Sequence, residues 1–205
     1  MAEASFIRGR IFPVLFMLGI TLLFIGITAS IYTITKDQIE LNQNINIKRA
    51  VIGAAGLSIP QSPREIDLLY NQVVIPVKDS SGNIRYYRVM DGEKNELLSY
   101  VVITSGAGLW GTITAAVGID SSLESFTGLE IIDQAETPGL GGRITEKWFK
   151  KQFRGKRAPL STVPEGEKAS RQEFQAITGA TYSTNAIRDM LNKLYMELPE
   201  KIKKG

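Results

Sequence analysis

The chain lacks two residue types that carry much of protein chemistry, since none of its 205 residues is cysteine or histidine. Without cysteine there is no disulfide, thiolate zinc site, protein-ligated iron–sulfur cluster or c-type haem attachment. Without histidine there is no Ser-His triad, histidine-ligated metal or imidazole proton shuttle. Any redox chemistry must therefore come from a bound organic cofactor, and the sequence predicts no metal site.

The chain also lacks a strong excess of charge of either sign. Its 24 Lys and Arg against 21 Asp and Glu give a net charge of +3, which is too balanced for a nucleic-acid-binding protein. A hydrolase with a Ser or Thr nucleophile would have to enlist Lys as its base, and no paired arrangement is visible. The sequence therefore predicts no catalytic residues and no nucleic-acid partner.

What the chain does have is one long apolar run near its N-terminus. Residues 11–35 carry no charge and are bounded by Arg10 and Lys36. About 20 apolar residues suffice to span a bilayer as a helix, so we expect a transmembrane anchor in contact with membrane lipid. The alternative is a cleaved signal peptide, whose apolar region is shorter and ends in small residues. Only Thr28-Ala29-Ser30 approaches such a cleavage site.

The charges beside the run indicate its orientation. Arg8 and Arg10 precede it, whereas Lys36 follows it beside acidic residues. The positive-inside rule then predicts that the N-terminus is cytoplasmic, and we expect a cell (inner) membrane protein that spans the bilayer once. We expect a cytoplasmic tail at residues 1–10, a transmembrane helix at residues 11–35 and an extracytoplasmic domain at residues 36–205.

Alternating and β-branched segments separated by turn residues predict a mainly antiparallel sheet in this domain. The expected strands are 73–77, 84–89, 97–104, 112–119 and 126–132, the first an edge strand because it contains Pro76. Helical spacing is visible at residues 144–153 and, most clearly, from Ala186 to Leu198, where Pro199 is expected to end the helix. The predicted fold class is α+β, with helices flanking the sheet.

A hydroxyl-rich turn, residues 177–184, stands immediately before that last helix. Gly179 and Ala180 allow a backbone loop to approach a ligand closely, and the free N–H groups at a helix start suit a phosphate. On the residues alone the commoner explanation is a cap, with Ser183 or Thr184 accepting an N–H bond. The two explanations are compatible, because both use the same helix end.

Thr178-Gly179-Ala180-Thr181 resembles the [S/T]-G-A-T flavinylation motif of a family of FMN-binding subunits. The family comprises the G subunit of the Rnf complex and the C subunit of the sodium-translocating NADH:quinone oxidoreductase. Gly108-Leu109-Trp110-Gly111 and the loop from Glu136 to Gly141 resemble further motifs of the family, in the same order behind a single anchor. One position departs from the pattern, because Gln175 stands where the family often has Asp.

The resemblance implies an electron-transfer subunit of an ion-translocating (Na⁺ or H⁺) oxidoreductase complex, of either the Rnf or the quinone-reductase type. In this family FMN is joined covalently to the last threonine of the motif through a phosphoester, placed there by a flavin transferase. By resemblance that residue is Thr181, and the partners are the other membrane subunits of the complex. The alternative is a membrane-anchored binding module of the same fold, without flavin.

The resemblance also implies cofactor contacts around Thr181. The expected cofactor-binding residues lie in the three motifs: Thr178, Gly179, Ala180, Ser183, Glu136, Thr137, Gly139, Leu140, Gly141, Leu109 and Trp110. Two simpler explanations stay open from the residues alone. The Glu136–Gly141 loop fits a tight surface turn, and Trp110 fits a core position.

Overall fold

The structure of the chain is a computed structural model, which describes residue 9, residues 11–92, residue 94 and residues 96–203. The chain divides into two compact units at the boundary between Asn44 and Ile45. Apart from Gly9, the tail expected at residues 1–10 lies outside the described residues.

The first unit is dominated by helix α1, Phe12–Ala54. Its Phe12–Lys36 segment is the one stretch of the described chain that is long and apolar enough to cross a membrane, with a mean hydropathy of 2.4. Its hydroxyl side chains bond within the helix, for example Thr21 Oγ1 to the Met17 carbonyl at 2.8 Å. Such bonds satisfy the hydroxyls without an outside partner, which suits a segment exposed to lipid.

The second unit begins with the end of α1. The Leu57 N–H donates to the Ile52 carbonyl at 3.3 Å, and Gly56 has φ +86°, which is how a glycine commonly closes a helix. Helix α2, Pro63–Val73, follows. Its cap is Ser62, which accepts the Glu65 N–H at 3.2 Å.

A five-stranded antiparallel sheet forms the centre of this unit, in the order β1-β2-β3-β4-β5. The strands are β1 (Val74–Lys78), β2 (Ile84–Met90), β3 (Leu97–Ala107), β4 (Thr112–Asp120) and β5 (Phe126–Asp133). The predicted α+β fold class is confirmed. Pro76 lies in β1 at the edge of the sheet, where a missing N–H costs no ladder bond.

Each face of the sheet has its own core, because side chains along a strand alternate between faces. Val101 packs with the end of α1 and with α2, whereas its neighbour Val102 packs on the other face. That second face is covered by a 3₁₀ helix (Gly141–Thr145), helix α3 (Lys147–Lys151) and helix α4 (Thr181–Lys203). A short parallel pair, β6 (Ser161–Val163) and β7 (Glu173–Gln175), completes the unit.

The last helix differs from its prediction at both ends, because it begins at Thr181, inside the turn that was expected to precede it, and does not stop at Pro199. Pro199 was expected to stop it, but α4 continues to Lys203 with Pro199 inside it. Leu198 is buried and Ile202 packs against the same core. Apolar packing on both sides of the proline therefore keeps the last turn helical, even though proline removes one backbone bond.

Candidate functional site

The loop between β7 and α4 is held in a tight turn by its own backbone. Gly179 has φ +77°, a left-handed conformation that favours glycine. The Ala180 N–H donates to the Ile177 carbonyl at 3.0 Å, and the Thr184 N–H donates to the Ala180 carbonyl at 3.0 Å. The helix therefore begins directly after the turn.

Ser183 and Thr184 do not cap the helix as expected, because α4 already begins at Thr181. Both are buried in its first turn. Thr184 Oγ1 still accepts a backbone N–H, but from Ile177 in the preceding loop, at 3.2 Å. The hydroxyl therefore fastens the loop to the helix instead of ending the helix.

Thr181 is the first residue of α4, and its side chain is exposed. Within the described part of the chain, its hydroxyl takes part in no hydrogen bond. The N–H groups of Thr181, Tyr182 and Ser183 come before the first N–H that has a carbonyl four residues back. An exposed hydroxyl therefore stands at a helix end that favours negative charge.

Glu136 joins the three sequence motifs to one another. Its side chain is buried, with 4% of the residue exposed. Its Oε1 accepts the Trp110 backbone N–H at 3.0 Å, and its Oε2 accepts the Ser183 hydroxyl. One carboxylate therefore connects the Gly108–Gly111 loop, the Glu136–Gly141 loop and the first turn of α4.

Glycine is required on both sides of this carboxylate. A Cβ at Gly108 would lie 2.5 Å from Glu136 Oε1. A Cβ at Gly141 would lie 2.7 Å from Glu136 Oε2 and 2.3 Å from Ser183 Oγ. Real Cβ atoms do not approach so closely, so any other residue at either position would displace the glutamate or the loop.

Large apolar side chains on the same three segments are exposed, although such residues usually lie inside a protein. They are Leu109, Trp110, Leu140 and Tyr182, and we call them the apolar rim. Trp110 is 69% exposed, so the core explanation for this residue is wrong. Tyr182, 72% exposed, was not predicted as a site residue, although an aromatic residue beside Thr181 was a usable signal.

The Glu136–Gly141 loop is indeed a tight turn, and it also contacts the T-G-A-T segment. The Thr137 carbonyl accepts the N–H groups of Leu140 and Gly142, at 3.1 and 3.0 Å. Leu140 Cδ2 lies 3.2 Å from the position of a Cβ at Gly179. Gly139 has φ +75° and no atom within 4 Å of a built Cβ, so the tight turn leaves this side of the loop open.

A second carboxylate, Glu165, holds the start of the T-G-A-T segment, and sequence analysis gave no sign of it. It accepts the Thr178 N–H at 2.8 Å and both terminal nitrogens of Arg143, at 2.7 and 3.1 Å. These bonds lower the pKa of Glu165 from its ordinary 4.5 to about 2, and the bond to Arg143 has the largest effect. The Arg143 guanidinium also lies over the Trp148 ring, 5.3 Å from its centre.

Gln175 takes no part in the turn. Its side chain accepts the Gly166 N–H at 3.1 Å and donates to the Glu167 carbonyl at 2.8 Å. Among the described residues, no group of three or more carboxylates is placed to hold a metal ion. The site is therefore a hydroxyl at a helix start with apolar side chains around it.

An exposed hydroxyl at a phosphate-suited helix end, with an apolar rim on the neighbouring loops, is an arrangement that suits a phosphorylated, planar cofactor. The family model described as "FMN-binding domain" matches residues 108–196, a range that contains all three motifs. The chain is 31% identical over 181 residues to the G subunit of the ion-translocating oxidoreductase complex of Methanosarcina acetivorans, covering 86% of this chain and 87% of that protein.

Two further comparisons extend this result. The chain is 27% identical to the C subunit of the Na(+)-translocating NADH-quinone reductase of Yersinia pestis, over 67% of this chain and 59% of that protein. It shares its fold with the C subunit of the same kind of reductase from Parabacteroides distasonis, with a TM-score of 0.65 and 21% identity over 81% of this chain and 96% of that one. The chain belongs to the family of FMN-binding subunits of Rnf-type and Na(+)-translocating NADH-quinone reductase complexes.

Proposed function

We propose that the chain is a membrane-anchored electron-transfer subunit of an ion-translocating oxidoreductase complex, and that it carries FMN joined to Thr181 through a phosphoester. The observation that carries the proposal is the Thr181 hydroxyl, which is exposed, takes part in no described hydrogen bond and stands on the first residue of α4. Relatives of the chain are subunits of such complexes. FMN supplies the redox chemistry, and the protein supplies attachment, position and surroundings.

In the attachment step, from an activated ester of FMN, the Oγ1 atom of Thr181 would form a bond to the phosphorus of FMN. The bond from that phosphorus to the leaving group of the ester would break, and the leaving group and the hydroxyl proton would be released. A flavin transferase carries out the step, and the protein gains the mass of FMN less one water. The first N–H groups of α4 would then hold the phosphate, an interaction worth about 0.3–1 kcal/mol at an exposed helix end. Because the bond is covalent, that interaction orients the phosphate and is not needed to retain it.

The remaining site residues divide into two roles. Thr178, Gly179 and Ala180 shape the turn that presents the hydroxyl, and the apolar rim offers a surface on which a flavin ring can pack. Gly139, at the exposed tip of the Glu136–Gly141 loop, offers its backbone N–H group at the edge of the ring. Glu136 and Ser183 are buried and bonded to each other, so we assign them to holding the motifs together beneath the flavin.

We also infer the placement of the chain in the membrane. Residues 11–35 anchor it to membrane lipid, residues 1–10 face the cytoplasm, and residues 36–205 form the FMN-binding domain on the other side. A covalent tether fits that location, because a flavin lost outside the cytoplasm is not easily replaced.

The absence of cysteine allows a direct test of this placement. Ser81→Cys, in an exposed turn, should react with a membrane-impermeant maleimide in intact cells, whereas Ser5→Cys should react only after the membrane is opened. The reverse pattern would mean that the domain is cytoplasmic.

The attachment is tested by co-expression with a flavin transferase and measurement of intact mass. The wild-type chain should remain fluorescent after denaturation and carry the added mass, and Thr181→Ala should lose both. Thr181→Ser is the matched control, because it keeps the hydroxyl and should keep the flavin. Flavin retained by Thr181→Ala would identify another acceptor, and a wild type without flavin would favour the binding module.

A further inference from the structure

A strongly basic segment lies outside the flavin site. Residues 147–157 contain six Lys and Arg and no Asp or Glu, in a chain whose net charge is only +3. Within the segment, Phe149 and Phe153 are completely buried. The aromatic side chains thus fix the segment to the core, while its cations remain at the surface.

Three of the six cations have partners inside the chain. Lys150 pairs with Glu130, and the Arg157 guanidinium lies 2.6 Å from a carboxylate oxygen of Glu124. The Lys156 amine donates to the Ser170 carbonyl at 2.5 Å. Half of the cations in the segment therefore take part in contacts within the fold.

The other three, Lys147, Lys151 and Arg154, are exposed and form no salt bridge within the described part of the chain. All three line one cavity of about 310 Å³. Its other walls are the end of α1, the residues just after that end, and part of β5: Gly53, Gly56, Leu57, Ser58, Ile59, Gly128, Leu129 and Glu130. We call the three cations and this cavity the basic surface.

The charge of the basic surface is not balanced within the cavity. The one carboxylate in its wall, Glu130, is already paired with Lys150, so three positive charges remain. Clustered like charges repel one another, and such a cluster attracts a ligand of the opposite sign. The walls also contain apolar side chains from Leu57, Ile59 and Leu129.

We propose that the basic surface docks an acidic segment of another subunit of the complex, with carboxylates on the three cations and a neighbouring apolar side chain in the cavity. The inference rests on the proposed membership of a complex and is independent of the covalent flavin. Cations spread over positions 147 to 154, together with apolar walls, fit a peptide better than a single small anion. Complementary charge at such an interface mainly directs recognition and weakens with salt.

The test uses the full-length chain co-expressed with the other subunits, one of which carries the affinity tag. In the variant K147E/K151E/R154E, we expect the retained fraction of the chain to fall about tenfold. The matched control is R64E/K78E/R88E, which makes the same change in charge at exposed cations elsewhere and should be retained like the wild type. The neutral variant K147Q/K151Q/R154Q should show an intermediate loss, and its melting temperature reports whether the domain remains folded.

Several outcomes would overturn the inference. Equal retention of the basic-surface variants and the wild type at low and high salt would do so, as would an equal loss in the control. If the neutral variant abolishes calorimetric binding of inorganic phosphate without changing retention, the surface is a small-anion site. A wild-type chain that is not retained overturns both the inference and the proposed complex membership. Flavin fluorescence on a denaturing gel tests the cofactor proposal separately.

Discussion

At two places in the molecule, a pair of glycines allows another group to lie very close to the backbone. The two places differ in which group this is. In the sheet, Cβ atoms at Gly118 and Gly128 would lie 2.0 and 2.9 Å from the carbonyl oxygen of Ala54, at the end of α1. At the site, Cβ atoms at Gly108 and Gly141 would lie 2.5 and 2.7 Å from the carboxylate of Glu136. For the first pair the nearest atom is a backbone oxygen, and for the second pair it is a side-chain oxygen.

The difference separates glycines that serve the fold from glycines that serve the site. The Ala54 carbonyl cannot move without the helix, and it also accepts the Thr127 hydroxyl at 2.7 Å. The Glu136 carboxylate can rotate, but only by releasing Trp110 and Ser183. Substitution at Gly118 or Gly128 should therefore lower the stability of the fold. Substitution at Gly108 or Gly141 should instead disturb the arrangement of the loops around Thr181.

The largest effect is expected for Gly118→Ala. Its methyl group would overlap the Ala54 carbonyl, and a β-strand packed on a helix end has little room to adjust. We expect the free energy of unfolding to fall by about 3 kcal/mol or more, measured by urea denaturation of the chain in detergent. Gly82→Ala, in an open turn with φ +85°, is the control for a glycine without close neighbours, and it should cost only about 1 kcal/mol, from its left-handed backbone. If Gly118→Ala is as stable as the wild type, the distinction between glycines that serve the fold and glycines that serve the site is wrong.

The next effect concerns Glu136, which the two site glycines enclose. Glu136→Ala leaves the Ser183 hydroxyl and the Trp110 N–H without their partner, at a cost of about 1–3 kcal/mol each where the group is buried, and should lower the yield of flavinylated protein. Glu136→Gln can keep both bonds, since its oxygen accepts from Trp110 and its amide donates to Ser183.

Thermal unfolding and flavin fluorescence on a denaturing gel would compare these two variants with the wild type. Near-normal behaviour of Glu136→Gln would show that geometry is what the site requires. If Glu136→Gln behaves like Glu136→Ala, the negative charge itself is needed.

A smaller and pH-dependent effect is expected at Glu165. Its pKa is lowered to about 2 in the folded chain, mainly by Arg143, so the carboxylate stabilises the fold at pH values above its ordinary 4.5. That contribution is lost as the pH falls from about 4.5 through 2. The difference in melting temperature between wild type and Glu165→Gln should be constant above about pH 5 and shrink towards zero near pH 2. A difference that does not change over this range would mean that ionisation of Glu165 is irrelevant.

Much of the fold could be predicted because its signals are local. Alternating strands, the turns between them and Pro76 at an edge position specify an antiparallel sheet, and the spacing from Ala186 to Leu198 specifies α4. The parallel pair β6–β7 was missed, because three-residue strands in a polar segment carry no pattern. The end of α4 was misplaced, because contacts made by Ile202 with the core outweigh Pro199.

The site was predictable in part for a similar reason. The motifs locate its loops, and those loops do approach one another. The sequence could not reveal that Glu136 contacts both Trp110, 26 residues earlier, and Ser183, 47 residues later. Nor could it reveal Glu165, which reaches the turn from a separate loop. Contacts between distant segments depend on the whole fold.

The smallest effect is expected for Gly139→Ala, which can be compared with Gly141→Ala in the same loop. Gly139 has φ +75° and no atom within 4 Å of a built Cβ, whereas a Cβ at Gly141 would lie 2.3 Å from Ser183 Oγ. Gly139→Ala should cost only about 1 kcal/mol of stability, from the left-handed backbone alone, and it keeps the backbone N–H that we assign to the flavin edge. Gly141→Ala should instead displace Glu136 and Ser183 and lower the flavin content. Thermal unfolding and flavin fluorescence, measured side by side, separate the two. Loss of flavin in Gly139→Ala with normal content in Gly141→Ala would mean that the loop acts through its exposed tip and not through the buried carboxylate.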